Sequence, residues 1–390
     1  MAQTIDQAKT GGFENVAVIG FGLIGASFAA ALRAANPSAQ VMAVDTDLAT
    51  RVEAVNRGWA TATAAPDAAE FRAFIEESCD LVVLATPVSV VEGYLKDLAE
   101  WDYRGIITDT ASTKSRIIEM AAHTLPYPQN FVPGHPMAGS EKNGIVGARA
   151  DLFKGAYWIL CPDADTPAEH FTRLHELITG IGARVISLPR EQHDAAVAVV
   201  SHVPHFTASS LVQLAVRHAK GQDSLMRLAA GGFKDSTRIA AGSPELWCGI
   251  AFDNKDALLG GLREMQGIIG QFADALEAGD RATLTSLLAE AADARRALPA
   301  AWLPCTERLL EVRIPMEDRP GVVAEVTTIT SKVGCNIQSI EIDHVTEDSA
   351  VLSLVLTDEG DIGKLSAHLI NAGFSVSFSP LAPKEHTHVG

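Results

Sequence analysis

The sequence GFGLIG, residues 20–25, constrains the fold of this chain more than any other feature, because it directly follows the apolar run VAVI. A GxGxxG pattern between a buried strand and a helix is typical of a dinucleotide-binding βαβ unit. The first glycine permits a tight turn, the second lets the backbone approach a pyrophosphate, and the third allows close packing of helix against strand. The helix N-terminus offers free N–H groups to the phosphates. We therefore predict a phosphate cradle formed by Gly20, Phe21, Gly22, Leu23, Ile24 and Gly25.

An acidic residue at the end of the next apolar run selects the cofactor. Asp45 closes the run VMAVD, 20 residues after Gly25. A carboxylate at this place accepts hydrogen bonds from both ribose hydroxyls of NAD and repels a 2′-phosphate, so NAD is predicted rather than NADP. Thr86 and Pro87 end a third run, DLVVLATP, and complete the predicted NAD site. In the alternative interpretation, the glycines serve only the packing of a βα turn.

The hydrophobic pattern divides the chain into three parts. Apolar runs alternate with helical stretches, which predicts an α/β, doubly wound Rossmann-type domain over residues 15–189. The runs near residues 157–162 and 183–189 are expected to add edge strands to its sheet. Over residues 190–299, long Ala- and Leu-rich stretches with helical periodicity predict an all-α domain. Its large apolar surface is more easily buried by a second subunit, so we expect a homodimer.

The C-terminal part has the pattern of a small, separate domain. Residues 309–380 alternate as strand, helix, strand, strand, helix, strand, which predicts a ferredoxin-like βαββαβ unit. A linker is expected over residues 300–308, and flexible ends over residues 1–14 and 381–390.

Charge and cysteine usage exclude several classes of protein. The net charge is −17 and the isoelectric point is about 5.1, which argues against a general binder of nucleic acid or anionic membranes. The five cysteines form no CxxC pair, so neither a disulfide framework nor a structural zinc site is expected. The polar N-terminus has no signal-peptide pattern, and no apolar run approaches the ~20 residues of a membrane span. We expect a cytoplasmic protein.

A histidine lies between two prolines in PGHPMAGSE, residues 133–141. Proline and glycine are too frequent here for the middle of a helix or strand, so a stiff loop is predicted. Loops on a rigid scaffold carry function, and an imidazole with a pKa near ~6.5 suits proton abstraction at neutral pH. We therefore predict that His135 is catalytic. Glu141 and Lys142 follow on the same loop, where solvated surface residues are the alternative.

Polar residues also follow a predicted strand in TDTASTKS, residues 108–115. Because ligands in open α/β sheets bind beyond the carboxyl ends of the strands, Ser112 and Lys114 are placed near the cofactor cleft. The alternative is that Ser112 or Thr113 only caps the next helix.

Two further blocks offer candidate ligands. His202 and His205 in SHVPHF can share a helix face, but no third ligand at a usual spacing supports a zinc site, and His193 is a weaker candidate still. Arg238, in GGFKDSTRIAAGSPELW, is a candidate for bidentate binding of a carboxylate. A structural salt bridge, for example with Asp235, is the alternative.

In their order and spacing, GFGLIG, DTASTK, GHPMAGSE, SHVPH and FKDSTRIAAGSPELW resemble the prephenate dehydrogenase family, which includes arogenate and cyclohexadienyl dehydrogenases, over residues 15–297. The third part resembles an ACT domain, with EDRPG at 317–321 and GCNIQSIEI at 334–342. The resemblance implies NAD-dependent oxidative decarboxylation of prephenate to 4-hydroxyphenylpyruvate in tyrosine biosynthesis, without a metal or a covalent nucleophile.

The resemblance also implies roles for individual residues. His135 would hydrogen-bond the ring C4 hydroxyl and take its proton, while Ser112 would bond the same hydroxyl or orient His135. The substrate site would further comprise His205 and Arg238 on the carboxylates, Glu141 and Asp235 as a gate or ion pair, Trp247 as a wall, His202 in support, and Lys114. The ACT unit would bind tyrosine as a feedback inhibitor through Asp318, Pro320, Gly321, Asn336 and Ile337, unless it only assembles subunits.

Three alternatives remain open. Arogenate carries an amino group where prephenate carries a ketone, and the sequence does not distinguish the two substrates. A β-hydroxyacid dehydrogenase also joins a Rossmann domain to helices and uses a lysine, for which Lys234 is available. An NAD-linked ligand sensor would need a DNA-binding surface, and no basic helix is visible in the sequence.

Overall fold

The computed structural model describes residues 11–139, 144–219, 230–297, 309–346, 349–357 and 362–381. The chain divides into two compact units, residues 1–270 and 271–390.

The first unit begins with a parallel sheet of six strands in the order β3-β2-β1-β4-β5-β6. The described pairs of neighbours are all parallel, and helices connect successive strands. This is the predicted Rossmann-type arrangement. The strands are β1 (Asn15–Ile19), β2 (Gln40–Val44), β3 (Ala62–Ala64), β4 (Leu81–Leu84), β5 (Ile106–Asp109) and β6 (Phe131–Val132). The helices are α1 (Leu23–Ala35), α2 (Leu48–Asn56), α3 (Ala69–Glu77), α4 (Val88–Glu100) and α5 (Ser115–Thr124).

The sheet is buried on both faces because its strands are apolar at consecutive positions. In β1, Val16 and Val18 belong to one hydrophobic cluster, whereas Ala17 and Ile19 belong to another. Successive side chains of a strand point to opposite faces, so the two clusters are the two sides of the sheet. The loops after β1, β4, β5 and β6 all leave the same carboxyl edge.

A second sheet holds the predicted catalytic histidine. Its strands β7 (Gly134–Pro136), β8 (Tyr157–Leu160) and β9 (Arg184–Ser187) form a separate three-stranded sheet, with β7 antiparallel and β9 parallel to β8. The predicted edge strands near 157–162 and 183–189 are therefore not part of the large sheet. The expected loop at His135 is likewise a short strand, because its backbone pairs opposite Ile159. Helix α6 (Ala168–Gly180) lies between β8 and β9 in the chain.

The next part of the first unit is helical, as predicted from its periodicity. Helix α7 (Arg190–Val197) passes through a π-helical turn (Ala198–His202) into α8 (Val203–Ala219). Among the described helices, Arg190–Ala219 is the one long and apolar enough to pass a length-and-composition test for a membrane span, and 33% of its most apolar window is buried. The helices that follow are α9 (Gly231–Thr237), α10 (Pro244–Asp253), α11 (Lys255–Glu277) and α12 (Arg281–Ala297). The end of α11 and all of α12 belong to the second unit.

The C-terminal part contains the predicted βαββαβ order. Its elements are β10 (Leu309–Glu317), α13 (Val322–Lys332), β11 (Ile337–Thr346), β12 (Ser349–Thr357), α14 (Ile362–Asn371) and β13 (Ser377–Leu381). The sheet is antiparallel in the order β11-β12-β10-β13, and one hydrophobic cluster joins it to both helices.

The prediction of a flexible N-terminus over residues 1–14 is wrong for its last residues. Phe13 is wholly buried, the guanidinium of Arg173 lies over its ring, and Arg173 donates a hydrogen bond to the carbonyl of Gly11. Residues 1–10, all of the predicted linker over 300–308 and most of the predicted tail over 381–390 lie outside the described residues.

Candidate active site

The glycine loop between β1 and α1 has the geometry of a phosphate cradle. Gly20 adopts φ +89°, and a Cβ there would lie 2.7 Å from the carbonyl oxygen of Ala85. A Cβ on Gly25 would lie 2.0 Å from the carbonyl oxygen of Gly20, whereas one on Gly22 would meet nothing within 4 Å. The first and third glycines are therefore required by packing, and the second leaves the backbone open. Helix α1 has no side-chain cap and no acidic residue in its first turn, so its N–H groups are available to an anion.

The carboxylate of Asp45 is fixed at the end of β2. Its Oδ2 accepts a hydrogen bond from the backbone N–H of Phe21 at 2.7 Å, and its Oδ1 accepts one from Asp47 at 2.9 Å. The carboxylate thus ties the second strand to the glycine loop, at the place where a Rossmann domain holds a ribose. The buried hydroxyl oxygen of Thr86 has no hydrogen-bond partner within the described residues, which leaves it available to a cofactor.

A buried ion pair supports the strand that carries His135, the predicted catalytic residue. Lys114 is fully buried, its ammonium donates to a carboxylate oxygen of Asp109, and it also donates to the carbonyl of Gly134 at 2.6 Å. Asp109 in turn accepts the backbone N–H of Gly134 at 3.0 Å. The geometry therefore favours Lys114 as a support of strand β7 over its predicted contact with substrate.

His135 is buried and belongs to a chain of hydrogen-bonded side chains. Its Nδ1 lies 2.8 Å from Nε2 of His193, and Nδ1 of His193 lies 2.9 Å from Oδ1 of Asp194. Asp194 also accepts the backbone N–H groups of Lys114 and Ser115, each at 2.8 Å, and so caps the N-terminus of α5, which has no side-chain cap of its own.

Burial lowers the pKa of three imidazoles at the site, those of His135, His202 and His205. Desolvation, with a smaller effect from the charge of Lys114, lowers the pKa of His135 well below its usual 6.5. Burial also lowers the pKa of His202 to about 4 and lowers that of His205. For Asp194, burial alone would raise the pKa, but hydrogen bonds from His193 and Ser115 hold it below its usual value. A neutral imidazole such as that of His135 can accept a proton and so can serve as a general base.

The π-turn brings histidines of α7 and α8 to the same side of the continuous helix that these elements form. His193 and His205 are 12 residues apart, and at roughly 100° per residue an unbroken α-helix would separate them by about 120°. One extra residue in a π-turn reduces this separation to about 20°. Pro204 accounts for the turn because it cannot donate the hydrogen bond that an α-helix needs there. His193 therefore lies on the same side of the helix as His205, which the sequence analysis had paired with His202.

His202 and His205 line one wall with an aromatic residue of α10. The ring of Trp247 stacks on His205 with centroids 3.5 Å apart and planes at 12°, and it meets His202 edge-on at 6.0 Å. The amide nitrogen of Asn254 lies 3.3 Å from Nδ1 of His202. The buried Nδ1 of His205 and Nε2 of His202 have no hydrogen-bond partner in the described part of the chain, so both can receive a polar ligand.

The other predicted site residues lie on several different elements of the chain. Ser112 is half-buried in the turn before α5, and its contact with His135 stays a prediction. Arg238 begins a short 3₁₀ turn and Asp235 lies on α9, both exposed. Glu141 and Lys142 lie outside the described residues. In the C-terminal part, Asp318, Pro320 and Gly321 form the turn before α13, while Asn336 and Ile337 lie at the start of β11.

The sequence analysis missed the roles of His193, Asp194 and Asn254. The amide of Asn254 donates to the backbone carbonyl of Asp194 at 2.7 Å, which joins α7 to the end of α10. The dipeptide His193-Asp194 near the start of a predicted helix was the one signal available, because an adjacent acid often orients an imidazole.

Comparisons with known proteins agree with this geometry. The family model for the prephenate dehydrogenase nucleotide-binding domain matches residues 28–187, and that for the prephenate dehydrogenase dimerization domain matches residues 189–290. The prephenate dehydrogenase of Bacillus subtilis (strain 168) is 32% identical over 352 residues, which covers 89% of this chain and 93% of the relative.

Two further similarities cover less of this chain but nearly all of the other protein. The cyclohexadienyl dehydrogenase of Zymomonas mobilis subsp. mobilis is 34% identical over 73% of this chain and 96% of the relative. The crystal structure of prephenate dehydrogenase from A. aeolicus in complex with hydroxyphenyl propionate and NAD+ has a TM-score of 0.69 at 27% identity, covering 74% of this chain and 99% of that chain. The chain belongs to the prephenate dehydrogenase family.

Proposed function

We propose that this chain oxidatively decarboxylates prephenate to 4-hydroxyphenylpyruvate with NAD as the hydride acceptor. The observation that carries the proposal is the buried His135 with its lowered pKa, bonded to His193 and preceded by Gly134, whose carbonyl accepts from Lys114, in the same unit as an intact dinucleotide-binding loop. The family membership supports the same reaction.

The residues around the glycine loop fit NAD. The open backbone at Gly22 and the uncapped N-terminus of α1 suit a pyrophosphate, and the fixed carboxylate of Asp45 suits ribose hydroxyls. Thr86 supplies a buried hydroxyl near Gly20. When bound, NAD would accept the hydride from C4 of the substrate.

The proton of the C4 hydroxyl is the part of the reaction that the protein handles. His135 accepts this proton as the C4–O bond gains carbonyl character. The C1–carboxylate bond then breaks, its electron pair enters the ring, and carbon dioxide leaves. His135 returns the proton to the resulting phenolate oxygen, so the reaction releases no net proton. Ser112, in the turn after β5, is proposed to bond the same hydroxyl.

The substrate carries two carboxylates, and the acidic protein must supply local positive or hydrogen-bonding groups for them. We assign this role to Arg238 and His205, with Trp247 as the wall and His202 in support. Glu141 and Asp235 are proposed as a gate.

Arg238→Gln should raise KM for prephenate with little effect on kcat. Asp163→Asn, which changes an exposed residue distant from Arg238 in the sequence, is the control and should change neither KM nor kcat. A normal KM in Arg238→Gln would exclude the carboxylate role.

One assay tests the reaction and the identity of the substrate. Purified protein is incubated with NAD and either prephenate or arogenate, and NADH is followed at 340 nm, the wavelength at which it absorbs. We expect NADH with prephenate and formation of 4-hydroxyphenylpyruvate in equal amount. Turnover of arogenate alone would support the arogenate alternative, and no NADH with either substrate would reject the proposal.

The C-terminal part is proposed to be an ACT domain that binds tyrosine as a feedback inhibitor. The βαββαβ order and the glycine turn at Gly321, with φ +88°, support this assignment. Asp318, Pro320, Asn336 and Ile337 are the other proposed contacts. Deletion of the residues after Pro304 should leave a folded enzyme that tyrosine no longer inhibits. Full-length enzyme that ignores millimolar tyrosine would refute the regulatory proposal.

The helical part is proposed to form a homodimer. Its match to a dimerization-domain model supports this, as do exposed apolar side chains, among them Leu214 at 55% and Phe252 at 68% exposure. Light scattering of the purified protein should give twice the mass of one chain. We also propose that the enzyme is cytoplasmic, which cell fractionation can test.

A further inference from the structure

We propose that His193 and Asp194 form a hydrogen-bonded relay that sets which nitrogen of His135 receives the substrate proton. The inference deepens the proposed function and rests on it. In this relay, His193 is a positioning residue, because it acts on the substrate only through His135. The relevant geometry is a continuous line of contacts, 2.8 Å from His135 to His193 and 2.9 Å from His193 to Asp194.

The direction of the hydrogen bonds follows from Asp194. Its carboxylate can only accept, and it already accepts two backbone N–H groups, from Lys114 and Ser115. Nδ1 of His193 must therefore carry a proton and donate it to Asp194. In the proposed relay His193 is the neutral imidazole, so its one N–H is on Nδ1 and its Nε2 is the acceptor. His135 then donates from its own Nδ1, which leaves the lone pair on Nε2.

This tautomer is the one that catalysis needs. Nδ1 of His135 faces His193, so only Nε2 can be directed at a substrate hydroxyl, and the relay ensures that Nε2 is the basic nitrogen. When His135 takes the proton, its imidazolium donates to His193, and the carboxylate of Asp194 stabilises the positive charge through the intervening ring.

The charged groups around His135 make this stabilisation necessary. Lys114, from the turn before α5, opposes protonation of His135, and so does any charge on His193 of α7 or His202 of the π-turn. Asp194 is the acidic group that acts in the opposite direction on His135. Asp109, at the end of β5, is paired with Lys114. Without the relay, the imidazolium would be buried near the ammonium of Lys114 and would lose its hydrogen-bonded link to the carboxylate of Asp194.

Asp194 performs two tasks, because it also caps α5. A change at Asp194 would loosen the turn that carries Ser112 and Lys114, so its effect on rate would not isolate the relay. His193 has no hydrogen bond in the described residues other than those of the relay and the helix backbone, and it is wholly buried. The decisive variants are therefore at His193.

The first test reads the tautomers directly in the unaltered protein. The protein is produced with ¹⁵N-labelled histidine and studied by NMR. The ring-nitrogen signals of His135 and His193 are identified as those that are absent from the spectra of His135→Asn and His193→Gln, respectively. We expect both rings to carry the proton on Nδ1 near pH 7.5. A proton on Nε2 of His135 overturns the relay, whatever the activity of the protein.

The second test separates positioning from structure. His193→Phe removes the acceptor, and His193→Gln keeps an amide oxygen that can accept from His135. We expect kcat with prephenate to fall about 10²–10⁴-fold in His193→Phe, with KM unchanged and partial recovery in His193→Gln. His175→Gln, at a half-buried histidine of α6, is the matched control and should have the kcat and KM of the parent.

Two outcomes distinguish the failure of the relay from the failure of the proposed function. If His193→Phe folds, binds NADH as the parent does and retains the parental kcat, the relay is refuted while the proposed function stands. If the parent forms no NADH from prephenate, the proposed function is refuted, and the tautomers measured by NMR decide whether the hydrogen-bonded chain exists. If His193→Phe does not fold, the NMR result on the parent and the rate of His193→Gln remain decisive.

Discussion

Replacement of Lys114 by methionine tests whether the buried ion pair supports the catalytic strand. Methionine retains most of the apolar length of the side chain and removes the ammonium. The carboxylate of Asp109 would then be fully buried with only the backbone N–H groups of Ala111 and Gly134 as donors. The carbonyl of Gly134 would lose its bond from Lys114.

The cost of the change can be estimated from the burial of the pair. Removal of one partner from a buried ion pair destabilises a protein by about 3–5 kcal/mol. For a domain of this size, each kcal/mol lowers Tm by about 2–4 °C, so a decrease of about 6–20 °C is expected. Lys96→Met breaks the exposed pair with Glu92, at 2.7 Å on α4, and should leave Tm close to that of the parent.

The assay combines thermal unfolding with the pH dependence of activity. Because the charge of Lys114 contributes to the low pKa of His135, its removal should raise that pKa. The acid limb of kcat/KM should therefore move to higher pH in Lys114→Met and stay in place in Lys96→Met. A Tm decrease no larger than that of Lys96→Met, together with an unmoved acid limb, would refute the reasoning.

Three other predictions concern the cofactor loop and the buried imidazoles. Asp45→Ala should weaken NAD binding and reduce the preference for NAD over NADP, and an unchanged ratio of kcat/KM for the two cofactors would contradict this role. Gly20→Ala should abolish NAD binding, because a Cβ would lie 2.7 Å from the carbonyl of Ala85 at a φ of +89°, and wild-type affinity would refute the packing argument. The pKa of His202 is lowered to about 4, whereas an unfolded histidine titrates near ~6.5, so the unfolded state binds more protons between these values. The free energy of unfolding should therefore decrease as pH falls from about 6.5 to 4, with no loss from this group above that range, and a flat profile within it would contradict the burial of a neutral His202.

Local patterns were enough to predict much of the fold. The glycine loop and Asp45 lie within one βαβ unit, where strand, turn and helix signals are close in sequence, and the structure places them as expected. The helical part and the βαββαβ order also follow from hydrophobic periodicity. The strand at His135 was missed because pairing with β8 overrides the preference of proline and glycine for loops.

The contacts that organise the site could not be predicted from local patterns. His135 and His193 are 58 residues apart, and their hydrogen bond depends on how α7 packs beside β7. The sequence indicates only that Lys114 is a polar residue near a predicted cleft. In the structure, Lys114 is buried and forms an ion pair with Asp109. The π-turn changes the phase of the helix that carries three histidines, and only Pro204 indicates it in the sequence.

The role of His135 as the proton acceptor is tested most directly by the steady-state kinetics of His135→Asn with prephenate and NAD. Loss of a general base lowers the rate by roughly 10²–10⁴-fold, and asparagine retains a hydrogen-bonding side chain of smaller size. We expect kcat to fall by this amount while KM for prephenate changes little and NADH binding is preserved. An undiminished kcat in a folded His135→Asn protein would contradict the account.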